Sequence, residues 1–110
     1  MTTIVICKTS EREYRGFTCM GHAGYARRNQ PDIVCAAVSV LVTNTINSLT
    51  ELAGEKVNLV TNEETGFIQC DFEGRLQEKS KFLLDSMVFG LKTISKDYGS
   101  KYVQVKFEEV

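Results

Sequence analysis

Apolar residues recur along the chain with two different spacings, one typical of strands and one typical of helices. Stretches rich in β-branched or alternating apolar residues predict five strands, at residues 2–8, 14–20, 57–61, 67–72 and 102–108. The last of these alternates strictly, with Val103, Val105 and Phe107 on one face. That pattern predicts a strand whose other face is exposed to water.

Two longer segments have apolar residues at helical spacing, and both predict amphipathic helices. The first covers residues 33–53, and its apolar stripe consists of Val34, Val38, Leu41, Val42, Thr45, Leu49 and Leu52. The second covers residues 77–98, with Leu83, Met87, Gly90, Leu91, Ile94 and Tyr98 as its stripe. Leu84 and Val88 add either a second apolar face or a wider buried one. Asp32 is a suitable N-cap for the first helix, and Gly54 and Gly99 are placed to end the two helices.

The order of these elements, β-β-α-β-β-α-β, predicts an α+β fold. We expect a two-layer sandwich in which a mainly antiparallel five-stranded sheet carries both helices on one face. A length of 110 residues is enough for one domain, residues 1–110, and no linker or low-complexity segment divides it.

Composition and charge exclude several classes of partner. Thirteen basic and fourteen acidic residues leave a formal charge of −1, which gives no electrostatic reason to bind nucleic acid or an anionic membrane as the main task. No apolar stretch is expected to reach the ~20 residues of a membrane helix. The first eight residues lack the basic region and cleavage site of a signal peptide, so we expect a cytoplasmic protein with reduced thiols.

The chain has four cysteines and a single histidine, His22. No two cysteines form a C-x-x-C pair, so the sequence predicts neither a metal site nor any other cofactor. Cys7, Cys19 and Cys70 lie in strand-like segments and are expected to be buried free thiols. Cys35 instead falls in the first turn of the predicted helix.

The position of Cys35 predicts a reactive thiol. The unpaired N–H groups and the positive dipole end of a helix favour a thiolate, although the negative charge of Asp32 opposes this. His22 lies at the other end of a loop, residues 21–31, whose ends can meet at modest entropic cost. If the chain is a Cys–His enzyme, its base must be His22. The alternative to catalysis is that Cys35 is only packed in the fold and His22 is only solvated, with no chemical role for either.

Two sequence blocks, GHAGYA at residues 21–26 and DIVCAAVS at residues 32–39, resemble the signature of the ribosomal-processing cysteine proteases of the Prp family. The resemblance covers nearly the whole chain. It implies that Cys35 is the nucleophile and His22 the general acid/base. It also implies a cytoplasmic homodimer whose substrate is the N-terminal extension of the twenty-seventh protein of the large ribosomal subunit.

Further residues are expected to support the reaction. The resemblance implies that the loop carrying Gly21, Ala23 and Gly24 becomes ordered around the substrate. Before that, we expect the loop to be disordered or to hold His22 away from Cys35. Free N–H groups at the helix start, including that of Cys35, are placed to bind the oxyanion. Asp32 either supports catalysis or only caps the helix, and Ser39 bonds either the thiol or the preceding backbone.

One departure and two alternatives remain. The family pattern has a glycine two places before the aspartate, whereas residues 27–31 of this chain read RRNQP in an apparently longer loop, so loop closure and substrate preference are open. The first alternative function is a non-catalytic ribosome-assembly module that binds RNA through Arg27 and Arg28. The second is a thiol-redox protein that uses Cys35 and a resolving cysteine.

Overall fold

The computed structural model describes residues 1–26 and 32–110, and its elements follow the predicted order. They are β1 (Thr2–Lys8), β2 (Tyr14–Met20), α1 (Ile33–Asn47), β3 (Val57–Asn62), β4 (Phe67–Phe72), α2 (Glu78–Tyr98) and β5 (Val103–Glu109). α1 continues into a π-helical turn, Ser48–Leu52, which ends before Gly54 at a φ of +69°. The predicted α+β fold is confirmed, and predicted and observed strand bounds differ by at most one residue.

The five strands form one sheet in the order β3-β4-β2-β1-β5. β1 and β5 run parallel, and the other neighbours are antiparallel, so the sheet is mainly antiparallel as predicted. Cys19, near the end of β2, pairs with Ile4 on one side and Ile68 on the other. The residues that follow β2 therefore emerge between the start of β1 and the β3–β4 turn.

Both helices pack their apolar residues on one face of this sheet. The buried core side chains come from the sheet (Ile4, Ile6, Phe17, Cys70), from α1 and its π-helical turn (Val34, Val38, Val42, Leu49) and from α2 (Leu84, Met87, Val88, Leu91). Leu84 and Val88 thus belong to a wider buried face. The two helices contact each other where the Leu41 side chain lies over Gly90.

Three residues are exposed instead of buried, two from the predicted helical stripes and one from the apolar face of the last strand. Leu52 is 77% exposed because the π-helical turn departs from the helical spacing that would have brought it inward. Tyr98 is partly exposed at the end of α2. Phe107 is also partly exposed, on the edge strand β5, where the Lys8 and Lys92 ammonium groups lie over its ring.

We expected no segment with the length and apolar composition of a membrane helix, and this expectation is wrong. Ile33–Leu52 is a 20-residue helical segment with a mean hydropathy of 1.6, which is long and apolar enough to cross a membrane. Its inner face packs on the sheet through Val34, Val38 and Val42, which is the arrangement of a core helix. The high hydropathy arises because its outer face is apolar as well.

Gly16 allows β2 and β4 to lie close together. A methyl group there would lie 2.8 Å from the Cys70 carbonyl oxygen and 3.2 Å from the Asp71 Cα atom. Since both are backbone atoms, Gly16→Ala is expected to lower the free energy of unfolding by about 1–3 kcal/mol, as overpacking does. Urea denaturation measures this loss. Gly74→Ala, where an added methyl meets open space, is the control, and equal midpoints for the two variants would contradict the prediction.

Candidate active site

The end of β2 and the start of α1 bring His22 and Cys35 together. The Cys35 Sγ atom lies 3.8 Å from the His22 Nδ1 atom, with the thiol half-buried and the imidazole exposed. The predicted meeting of the two loop ends is confirmed. Of the two alternatives expected for the free enzyme, His22 held away from Cys35 is not found in this structure, and a disordered loop stays a prediction. Residues 27–31 of the predicted loop, including Arg27, Arg28 and Pro31, lie outside the described residues.

Asp32 connects both ends of the loop. One carboxylate oxygen accepts the Cys35 N–H at 2.9 Å, which caps α1 as predicted. The other accepts the Tyr25 N–H at 2.8 Å. The Tyr25 ring also packs edge-on against Tyr98 and Tyr102, with centroid distances of 5.4 and 5.1 Å. The segment after His22 is therefore tied to the helix start and to the end of α2.

These hydrogen bonds affect the ionisation of Asp32. Partial burial opposes the charged form, but the backbone N–H groups of Cys35 and Tyr25 donate to it and outweigh burial. The pKa of Asp32 is therefore lowered from its usual value. A negative charge at this position also interacts favourably with the positive end of the helix dipole.

The Cys35 N–H, which was expected to bind the oxyanion, is already engaged, as are two of its neighbours. The Cys35 N–H donates to the Asp32 side chain, and the Ala36 N–H donates to the Asp32 carbonyl at 2.9 Å. The Val34 N–H also interacts with the Asp32 carboxylate. The prediction that the Cys35 N–H is free is therefore wrong, because the N-cap carboxylate already accepts from it.

His22 has a second contact on the far side of its ring. Its Nε2 atom lies 3.2 Å from the backbone carbonyl oxygen of Glu64, in the turn between β3 and β4. A carbonyl oxygen can only accept, so Nε2 carries the proton in this contact. In the neutral ring, the unprotonated Nδ1 then faces the Cys35 sulfur.

The Cys–His pair opens into a groove of about 360 Å³. One wall is α1, and the opposite wall is the β3–β4 hairpin. The lining residues are Thr2, Cys19, Gly21, His22, Cys35, Val38, Ser39, Thr43, Thr61, Asn62, Glu63, Gly66, Phe67 and Ile68. The sequence predicted the hairpin but not its place in the site, since no local pattern indicates which loop meets the end of β2.

Of the three residues assigned to the substrate loop, only Gly21 lines the groove. Ala23 is buried in the core, and Gly24 is exposed outside the groove. Ser39 lines the groove one turn after Cys35, as its spacing predicted. Within residues 1–26 and 32–110, its hydroxyl makes neither of the two hydrogen bonds considered for it.

The other three cysteines are held as thiols. Burial raises the pKa of Cys70 to about 12 and that of Cys19 to about 11, with a smaller contribution from Cys35 to Cys19. Burial, followed by the Glu108 carboxylate, also raises the pKa of Cys7. Cys19 and Cys70 are buried as predicted, whereas Cys7 is only half-buried.

A thiol beside an imidazole in an open groove can perform acyl transfer. The imidazole can remove the thiol proton, and the groove can hold an extended chain across the sulfur. Within the described ranges, no three His, Cys, Asp or Glu side chains cluster as metal ligands would. Fold and site together define a thiol-dependent hydrolase.

Comparisons with known proteins give the family. The family model described as cysteine protease Prp matches residues 1–104. The ribosomal processing cysteine protease Prp of Bacillus subtilis is 30% identical over 102 residues, which cover 89% of this chain and 90% of the relative. The chain therefore belongs to the Prp family of cysteine proteases.

Solved structures agree on the fold. The Staphylococcus aureus Prp with a covalently linked product peptide is similar with a TM-score of 0.90 at 21% identity, over 98% of this chain and 100% of that one. The same S. aureus enzyme with a substrate peptide gives a TM-score of 0.86 at 20% identity, with the same coverage. The two-layer architecture is thus that of Prp structures.

Substitutions at Asp32 separate its two hydrogen bonds. Asp32→Asn keeps one acceptor oxygen for the cap but cannot accept from both the Cys35 and Tyr25 N–H groups. Asp32→Ala loses both, including a cap worth about 1 kcal/mol. We expect the free energy of unfolding at neutral pH to fall in the order wild type, Asp32→Asn, Asp32→Ala.

The lowered pKa of Asp32 also predicts that the free energy of unfolding depends on pH. Because folding lowers the pKa of Asp32, its stabilising effect is present above the unfolded value of about 3.9 and is lost as pH falls through the folded value. Asp32→Asn does not titrate there. The stability difference between wild type and Asp32→Asn, measured by urea denaturation, should therefore shrink in acid, and a difference independent of pH would contradict this account.

Proposed function

We propose that the protein is an endopeptidase that removes the N-terminal extension of the twenty-seventh protein of the large ribosomal subunit. The observation that carries the proposal is the 3.8 Å approach of the Cys35 sulfur to His22 Nδ1 in the groove between α1 and the β3–β4 hairpin. The name of the B. subtilis relative, a ribosomal processing protease, supports the substrate class. The peptides bound by the S. aureus enzyme support an extended ligand.

The proposed reaction has two stages. His22 Nδ1 takes the Cys35 proton, and the sulfur attacks the scissile carbonyl to form a tetrahedral intermediate. The imidazolium then donates its proton to the departing amine, which leaves a thioester on Cys35. His22 next deprotonates a water molecule, whose attack releases the new carboxyl terminus and regenerates the thiol.

Stabilisation of the oxyanion needs donors other than those that cap α1. The Cys35 N–H can serve only if the Asp32 carboxylate turns away from it, because the two are bonded at 2.9 Å. The Ser39 hydroxyl lines the groove on the same helix face as Cys35 and supports the oxyanion without that movement. In this proposal Asp32 has a supporting role through the helix start and the loop.

Removal of either reacting group should abolish cleavage. We expect Cys35→Ala and His22→Ala to lose detectable cleavage of a peptide that spans the ribosomal protein's extension, while circular dichroism and melting remain those of the wild type. Cys7→Ala is the matched control, since this half-buried thiol lies on β1 and does not line the groove. Cleavage by Cys35→Ala at the normal rate would falsify the assignment.

The proposal includes a homodimer that forms through the outer face of the helix layer. Five large apolar side chains are exposed there: Ile33 and Val40 on α1, Leu52 in its π-helical turn, and Phe82 and Phe89 on α2. Ile33 and Val40 also line a shallow, mostly apolar hollow. An apolar surface of this kind is typical of a protein interface, and a two-fold axis would cover it with its own copy.

Charge at this face should therefore separate the two copies. We expect the wild type to sediment as a dimer at micromolar concentration, and Val40→Glu or Phe89→Glu to sediment as a folded monomer. Leu59→Glu is the control, because Leu59 is a similarly apolar exposed residue but lies on β3, the far edge of the sheet. A monomeric wild type in analytical ultracentrifugation would overturn the dimer.

The proposed compartment is the cytoplasm, where the four free cysteines would remain reduced. No specific observation favours the two alternative functions. The basic pair of the RNA-binding alternative, Arg27 and Arg28, lies outside the described residues. For the redox alternative, Cys19 lines the same groove as Cys35, but its raised pKa disfavours the thiolate that a resolving cysteine needs.

A further inference from the structure

We propose that the β3–β4 turn, residues 62–66, is the positioning element that orients His22 for its reaction with Cys35. It acts through a backbone carbonyl, that of Glu64, instead of a third catalytic side chain. This inference rests on the proposed roles of Cys35 and His22 and adds a structural requirement to them: the turn must keep its shape for the imidazole to work.

The first step is the proton on His22. The Glu64 carbonyl lies 3.2 Å from Nε2 and accepts from it in both protonation states of the ring. In the neutral state this favours the tautomer whose Nδ1 lone pair faces the thiol. In the charged state, Nδ1–H faces the sulfur while Nε2–H remains bonded to the carbonyl. One fixed acceptor therefore serves both the base and the acid.

The second step is the shape of the turn. The Asn62 side-chain oxygen accepts the N–H groups of Glu64 and Thr65 at 3.0 and 3.4 Å. The Gly66 N–H donates to the Glu63 carbonyl at 3.3 Å. The Asn62 side chain thus forms an Asx-type turn that determines where the Glu64 carbonyl points.

The third step is the close approach of the turn to His22. Gly66 has a φ of +66°, and a methyl group added to it would lie 2.7 Å from the Gly21 carbonyl oxygen and 3.2 Å from His22 Cε1. Glycine therefore has two roles at this position: it adopts the left-handed conformation, and it leaves room for the backbone and ring of the catalytic segment.

The fourth step is the lack of another support. His22 is exposed and follows β2 directly, and within the described residues its ring has only the Glu64 carbonyl and the Cys35 sulfur as polar partners. The strands beside the turn line the groove through Thr61 and Phe67. The hairpin that would contact a bound peptide is therefore the hairpin that holds the base.

The test compares two glycines with the same backbone conformation. Gly66→Ala and Gly54→Ala both place a side chain at a φ near +66° to +69°, but only the first pushes against Gly21 and His22, since Gly54 faces open space. We expect Gly66→Ala to lower kcat for peptide cleavage about tenfold to a hundredfold, as a displaced catalytic group does, with little change in KM. Gly54→Ala should retain the wild-type kcat.

A second measurement does not depend on cleavage. His22 is the only histidine, so 15N-histidine labelling gives one imidazole to follow by NMR. We expect the 15N shifts of the neutral wild-type ring to place its proton on Nε2. Asn62→Ala should mix the two tautomers, whereas Asn62→Asp, which retains the acceptor oxygen, should preserve the wild-type tautomer.

The outcomes separate this inference from the proposed function. If Gly66→Ala matches Gly54→Ala in kcat, or if the neutral wild-type ring carries its proton on Nδ1, the turn does not position His22. In that case, inactive Cys35→Ala and His22→Ala variants would still support the protease mechanism. If His22→Ala cleaves normally, both fail. Should Gly66→Ala not fold, Asn62→Ala decides the matter through its tautomer ratio, and an unchanged ratio would overturn the inference.

Discussion

A single carboxylate joins the two ends of the segment that separates the imidazole from the thiol. Asp32 accepts the N–H of Tyr25 with one oxygen and the N–H of Cys35 with the other. The same carboxylate engages the helix N–H groups, so the residue that brings the site together also competes with an oxyanion. Closure of the loop and stabilisation of the intermediate are therefore opposing demands on one side chain.

The second constraint acts on the imidazole from the opposite side. The sheet order places the end of β2 next to β4, so the β3–β4 turn lies against Gly21 and His22. A backbone carbonyl in this place has an advantage over a carboxylate: it accepts a hydrogen bond from the ring N–H without adding charge beside the thiol. Its disadvantage is that a carbonyl is only as well placed as its turn. Asn62 and Gly66 therefore contribute to the site without reacting.

The sequence predicted the elements well because their signals are local. Alternation along β5 and helical spacing along α1 and α2 are set by which side of each element faces the core, and neighbouring residues report that directly. The meeting of Cys35 and His22 was also predictable, because only one of the four cysteines falls at a predicted helix start and the chain has one histidine. Their catalytic roles were implied by the family resemblance. The position of the β3–β4 hairpin as one wall of the groove was not predictable from the sequence. Strand order depends on which strands pair across distant parts of the chain. The engaged N–H of Cys35 was missed for another reason: Asp32 was recognised as a cap, but the donors that a cap consumes were still counted as free.

The helix layer shows how reactivity and stability are divided in this fold. Core residues such as Val34 and Val38 lie on either side of Cys35 along α1 and are buried, so the helix that carries the thiol is held firmly on the sheet. The reacting atoms lie at one end of that layer, where β2, α1 and the β3–β4 turn converge. The outer face of α1 is free of both tasks, yet it carries Ile33 and Val40. Exposed apolar side chains on a helix add nothing to a monomer's core, and the dimer proposed above would cover this face while leaving the groove open.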